Sequence, residues 1–294
     1  MLAWFDANTA TILNGLALGA VLFLIAVGLS LVFGTMDVLN LAHGAVSLMG
    51  AYVGVAMYGA APTTGMFFLA MAIAAAVGFA AGGVLATMVS PVRNHLRQAL
   101  LTLGMALIVA ELLQEVFGPE VRSVPVPEFL SSTVSLMGNP YPVYRLAMVA
   151  AGIVVAVVLY IVLERTRAGA IVRATVADRA MVEAIGIRTK VVLALVFGGG
   201  AALAAVGGLL AAPILGAQPG LDDQILLLAL VIVVIGGLGS LRGALLGALV
   251  VGQVQTIGVS VVNEFASFLL FAALAAVLLF RPQGLLPARK GAHV

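Results

Sequence analysis

The sequence contains no cysteine, which excludes disulfides, thiol catalysis and zinc sites of the cysteine type. Charge is scarce as well. Asp, Glu, Lys and Arg make up 9% of the 294 residues, where a soluble domain carries about 25%. So little polar surface could not cover a water-soluble fold. The formal net charge of +2 is too small to argue for nucleic acid as a partner. There is no G-x-x-x-x-G-K-S/T phosphate loop, no hydrolytic triad and no metal-ligand cluster. Neither catalysis nor a metal centre is expected, and uphill transport would have to draw on a partner or an ion gradient. The stretch Met1–Asp6 lacks a basic n-region, so the first apolar run is expected to persist as a helix rather than leave as a signal peptide.

What is abundant is hydrophobicity, at 63% of residues. It comes in runs of membrane length, since a helix needs about 20 apolar residues to cross a hydrocarbon core of about 30 Å. Barrel strands would alternate apolar and polar positions, whereas Val149–Leu163 and Ala266–Phe280 are apolar on every face. The fold class is therefore all-α: one polytopic transmembrane bundle over 1–294 with no soluble domain attached. About nine spans are expected, at roughly 9–33, 44–60, 65–89, 98–117, 144–163, 191–211, 225–241, 243–262 and 265–280.

Lys and Arg mark the cytoplasmic side. With the N-terminus outside, Arg93, Arg97, Arg165, Arg167, Arg173, Arg179, Arg188, Lys190, Arg242, Arg281, Arg289 and Lys290 all lie inside. Only Arg122 and Arg145 of the 14 basic residues are left outside. A re-entrant 225–241 would move Arg242 and the three tail residues out, so the rule favours nine crossings and a cytoplasmic C-terminus. Asp6, Glu120, Glu128, Asp222, Asp223 and Glu264 then fall on the outer side. The external loop 118–142 holds five of the eleven prolines and is expected to be an extended, irregular cap.

Glycine is plentiful, with 34 residues. The pairs Gly15/Gly19, Gly50/Gly54 and Gly78/Gly82, and the series Gly239, Gly243, Gly247, have the spacing that lets membrane helices approach closely. Gly236, Gly237 and Gly239 also make a candidate broken helix beside a translocation path, because irregular backbone at membrane depth survives only against protein or a polar cavity. Glu111 and Glu115 share a helix face with i, i+4 spacing. They suit an external vestibule or cation site, or an ordinary helix end at headgroup level. No span centre carries paired charges, which favours the helix end. Asp37, Asn40 and His43 form a polar cluster between two apolar spans, too few ligands for a metal. Asn40 and His43 are candidates for the translocation path.

The loop 164–190 is polar and strongly basic. Within it, 178–187 predicts a helix stopped at Gly186. Its apolar positions Met181, Val182, Ala184 and Ile185 would fill a groove in a partner. Alternatively the segment lies on the membrane and binds anionic lipid through its arginines. The residues alone leave both readings open.

The string Glu183-Ala184-Ile185-Gly186 resembles the coupling-loop motif of bacterial ABC importer permeases, which docks into a separate ATPase. The strings Leu39-Asn40-Leu41-Ala42-His43-Gly44, Met49-Gly50-Ala51-Tyr52, Arg173-Ala174-Thr175, Gly236-Gly237-Leu238-Gly239-Ser240 and Arg281-Pro282-Gln283-Gly284-Leu285 resemble the branched-chain amino acid permease family, in its shorter H-type subunit. The resemblance runs from about residue 12 to 287 in the family's order. It implies an importer subunit of the bacterial inner membrane, paired with a second, related permease chain. Two cytoplasmic ATPases and a periplasmic binding protein would serve the pair. ATP is used by those partners, and no cofactor is expected on this chain. Arg173, Asp178, Glu183, Ala184 and Gly186 would couple to the ATPase. The implied cargo is leucine, isoleucine and valine, although relatives carry other amino acids, amides or urea. Related sugar permeases have ten helices and a cytoplasmic N-terminus, and losing the first helix leaves nine and an external one. Asp37 departs from the family, which more often has an uncharged residue there. The rival class is a self-sufficient channel or secondary transporter, against which the scarcity of buried coupling charges argues.

Overall fold

A computed structural model describes residues 2–36, 39–59, 62–92, 94–136, 139–261 and 265–287. Asp37, Arg93, Glu264, Arg289 and Lys290, each assigned a side of the membrane or a local role above, lie outside the described residues. The apolar runs fold as helices, because in hydrocarbon only a helix pairs its own backbone groups within one segment. In chain order these are α1 Leu2–Met36, α2 His43–Tyr58, α3 Thr64–Val89, α4 His95–Phe117, α5 Val143–Tyr160, α6 Arg167–Ala177, α7 Arg179–Ala184, α8 Thr189–Leu215, α9 Leu221–Gly236, α10 Leu241–Val261 and α11 Ala266–Phe280. The loop 118–142, expected as an external, irregular cap, has some regular structure. It contains an antiparallel hairpin, β1 Thr133–Leu136 and β2 Asn139–Pro142, with Thr133 opposite Pro142.

All nine expected runs are helical where they are described, yet among the described residues six helices are long and apolar enough for a full crossing: Thr9–Thr35, Thr64–Val89, His95–Phe117, Val143–Arg165, Thr189–Leu215 and Leu241–Val261. Helices α2 and α9 have 16 residues each and α11 has 15. At 1.5 Å per residue such helices reach about 24 Å, short of the hydrocarbon thickness. The expected span 225–241 starts earlier and ends at Gly236. There Gly237 and Gly239 take positive φ values of 108° and 74° and turn the chain into α10.

Helices α1 and α8 form the centre, with α1 packed on α8 and α10, and α8 also carrying α2 and α3. Burial separates the roles: 78% of the most apolar stretch of α1 is buried, against 6% for α4. The glycine and alanine run of α8 (Gly198 to Gly208) is what admits three neighbours at backbone distance. Gly28 of α1 meets Gly200, Gly50 of α2 meets Ala205, and Gly78 of α3 meets Ala201. Gly15 and Gly19 pack on α10 at Gln253 and Ala248. The expected packing role of these glycines is thus met, although Gly54 has looser neighbours in Leu209 and Val124.

Two polar ties hold the end of the bundle at the C-terminus of α8. Arg122 and Ala217 exchange backbone hydrogen bonds of 2.8 Å, fastening the loop 118–142 to the α8–α9 connection. The buried Tyr144 hydroxyl donates to the Leu210 carbonyl at 2.7 Å, joining α5 to α8. Tyr144→Phe removes that bond without changing ring volume. It is expected to lower stability by about 1–2 kcal/mol, measured as a fall in the melting temperature of the purified protein. An unchanged melt would show that the bond contributes nothing net.

Candidate functional site

Two regions gather the residues singled out in the sequence. The first is a cleft of about 110 Å³ bounded by the start of α2, the C-terminal half of α4 and the start of α9. Leu41 and Ala45, Glu111 and Gln114, and Asp222 and Asp223 line it. The linker ahead of α2 is fixed by its polar residues. Asn40 Oδ1 accepts from the Ala42 amide at 3.1 Å, and Thr102 Oγ1 of α4 accepts from the Leu41 amide at 3.1 Å. His43 Nε2 donates to the Ile25 carbonyl of α1 at 2.8 Å. Asn40 and His43 are fully buried and do not reach the cleft. They set the position of Leu41 between them, which does.

The two glutamates of α4 separate. Glu111 lines the cleft, and Glu115, one turn later, does not. Gly236, Gly237 and Gly239 sit at the far end of α9, apart from Asn40 and His43. They pack against Gly243, the Gln283–Pro287 segment and Gly34 respectively. The tail is fastened there by Leu285 and Leu286 amides donating to the Ile235 and Gly236 carbonyls at 2.8 and 2.9 Å. Asp222 and Asp223 were legible only as external acids. The signal that would have promoted them is their place in the first turn of the helix that opens after Pro219-Gly220, at a start that approaches the N-terminus of α2. Gly44 lies against the Asp222 carbonyl.

The second region is the loop 164–190, which folds as two helices rather than one. Thr166 caps α6 by accepting from the Gly169 amide at 3.2 Å, and Asp178 caps α7 by accepting from Met181 at 2.9 Å. Gly186, at φ 88°, reverses the chain toward α8. Glu183 faces its own molecule: Oε1 accepts from Arg179 Nε at 3.1 Å and from the Thr189 hydroxyl at the first residue of α8. These partners, Thr189 foremost and then Arg179, hold the Glu183 carboxyl below its usual value of 4.5. Arg173 lies 3.9 Å from Glu164, an exposed pair of little energetic weight.

The apolar positions of α7 divide. Val182 is buried beneath the helix, while Met181 and Ile185 are 66% and 68% exposed. Ala184 and Gly186 are exposed beside them. The unit therefore presents a small apolar crest and is tied by Glu183 to the long central helix α8. Among the described residues no group of three or more His, Asp or Glu side chains could hold a metal ion.

Comparison with known proteins places the chain in a family. The family described as branched-chain amino acid transport system / permease component matches residues 11–278. The high-affinity branched-chain amino acid transport system permease protein BraD of Pseudomonas aeruginosa is 30% identical, with 94% of each chain covered. The corresponding LivH proteins of Escherichia coli and Salmonella typhimurium are 31% identical, with 93% of each chain covered. A solved structure, PsaBC from Streptococcus pneumoniae in complex with Fab, has a similar fold: TM-score 0.50 at 13% identity, covering 95% of each chain. The family match spans most of the helical bundle, so the chain is a multi-pass membrane protein that belongs to the branched-chain amino acid transport permease family, as a permease component rather than an ATPase.

Proposed function

We propose that this chain forms half of the pore of an ATP-driven importer for leucine, isoleucine and valine in the bacterial inner membrane. A second, related permease chain supplies the other half. Two cytoplasmic ATPases dock on the 164–190 loop, and a periplasmic binding protein delivers cargo to the 118–142 face. The observation that carries this reading is the coupling unit, with an exposed Met181–Ile185 crest tied through Glu183 to the helix at the centre of the fold. A push on that crest reaches α8 directly, and α8 contacts α1, α2 and α3.

Other features support the assignment. Helix α4 is largely apolar between Ala99 and Ala110 yet scarcely buried, as a helix facing a second permease would be. The carboxylates of Glu111, Asp222 and Asp223 give the cleft a negative field suited to the ammonium group of an amino acid. Asn40 and His43 border the path from behind by fixing Leu41. Nine membrane-embedded helical runs with an external N-terminus keep the loop, the cleft and the basic residues on consistent sides, with α2, α9 and α11 shorter than the hydrocarbon thickness.

Purification of the tagged chain from native membranes tests the assembly. Two ATPases and a second permease chain are expected to co-elute. Liposomes holding the complex should take up leucine only with ATP and the binding protein present. Flux through this chain alone without ATP would assign it to the channels, and uptake of urea or a short amide in place of leucine would overturn the cargo.

A further inference from the structure

A groove of about 230 Å³ opens on the face of the bundle where α5 and α10 diverge over α1. Helix α1 contributes Phe23, α5 contributes Ala156 and Tyr160, and α10 contributes Leu241, Arg242 and Leu245. Apart from Arg242 and the Tyr160 hydroxyl, these side chains are apolar. Arg242 stands at the first turn of α10, where a membrane span begins, and Tyr160 is the last residue of α5 before the chain enters the 164–190 loop. The mouth of the groove is therefore on the same membrane face as that loop. The body of the groove runs back from it toward mid-bilayer.

The Arg242 guanidinium carbon lies 5.6 Å from the centre of the Tyr160 ring. A ring face attracts the cation through its quadrupole and leaves the N–H donors free. Among the described residues Arg242 has no carboxylate within ion-pair distance. Its guanidinium is exposed at the mouth of the groove, open to an anion such as a phospholipid headgroup. Arginine presents a planar fork that matches two oxygens of a phosphate. Basic pockets between helices on the cytoplasmic side take anionic headgroups. The volume is below the roughly 300 Å³ at which drug-sized ligand sites begin, enough for part of an acyl chain.

We infer that this groove is a binding site for one anionic phospholipid, its phosphate on Arg242 and an acyl chain along Phe23, Ala156 and Leu245. The inference is independent of the cargo and of the ATPase contact.

The test is native mass spectrometry of the purified, delipidated transporter titrated with cardiolipin or phosphatidylglycerol, and separately with phosphatidylethanolamine. Arg242→Ala is expected to lower retention of the anionic lipids about fivefold, and Ala156→Phe, which fills the groove, should do the same. Phosphatidylethanolamine adducts should not change, and Arg97→Ala, an exposed cation on α4 away from the groove, should behave as wild type. Because Arg242 is exposed, its variant tests the site even if Ala156→Phe fails to fold. Unchanged retention in Arg242→Ala overturns the inference, as does an equal loss in Arg97→Ala. Displacement of the lipid by inorganic phosphate would remove the acyl chain from the site and also overturn it, and a cross-link placing a partner chain in the groove would do so as well.

Discussion

Gly50→Ala is expected to abolish folded protein in the membrane, although it adds a single carbon. A Cβ at position 50 would lie 1.8 Å from the Ala205 carbonyl oxygen, 2.4 Å from its carbon and 2.6 Å from its Cα. These are backbone atoms of α8, so no side chain can rotate away. One turn along, Gly208 meets the Ser47 carbonyl oxygen at 1.9 Å by the same construction. The two contacts fix the crossing of α2 on α8, and neither helix can retreat alone. Relief requires separating them along their whole contact, which also displaces the Leu39–Ala42 linker and the cleft wall at Leu41. Ordinary overpacking costs about 1–3 kcal/mol, and a backbone-to-backbone clash at the centre of the fold should exceed about 4 kcal/mol. Gly83→Ala is the contrasting case, since nothing lies within 4 Å of a Cβ there and alanine is the better helix former. Size-exclusion profiles of the two variants in detergent give the comparison. A monodisperse Gly50→Ala with a wild-type melting temperature would refute the packing argument.

The same glycine shows what a sequence of this kind discloses. Spacing at Gly15/Gly19, Gly50/Gly54 and Gly78/Gly82 announces helix contacts, because small residues matter only where another helix comes close. It does not name the partner: Gly50 and Gly78 meet α8, whereas Gly15 and Gly19 meet α10. Helical runs were legible for the same reason that lipid permits little else. Their lengths were less so, since α2 and α9 carry as much apolar character per residue as full spans but stop at 16 residues. The polar cluster at Asn40 and His43 was legible as important and not as to its role. Hydrogen bonds to Ala42 and Ile25 turn it inward, a fact of tertiary geometry that no spacing encodes. Asp222 and Glu111 are 111 positions apart by residue number, and only the fold brings them to one cleft. The apolar residues of α7 read as one surface in sequence. Val182 separates from Met181 and Ile185 because α7 lies against α8 on one side.

That separation leads to the second large effect. Glu183→Ala is expected to leave ATPase association near the wild-type level and to lower ATP-driven uptake on the order of tenfold, the size of a typical coupling between sites. The carboxylate points to Thr189 and Arg179 of its own chain, so removing it detaches α7 from α8 without altering the Met181–Ile185 crest. Ile185→Asp should do the opposite and prevent association, because it charges the exposed apolar surface while keeping the tie. Pull-down of the ATPases together with uptake in liposomes separates the two outcomes. Association lost in Glu183→Ala and kept in Ile185→Asp would reverse the roles assigned here. The tie also has a pH signature. The carboxyl titrates below 4.5 in the folded chain, so the proton is bound more weakly there than in the unfolded state. Its contribution is fully present above the unfolded value and is lost as pH falls through the lower, folded one. Hydrogen exchange of the α7 amides, corrected for the intrinsic rate, should hold level from neutral pH to about 4.5 and rise below it. In Glu183→Ala the exchange should be fast at every pH, since the strut that slows it is gone.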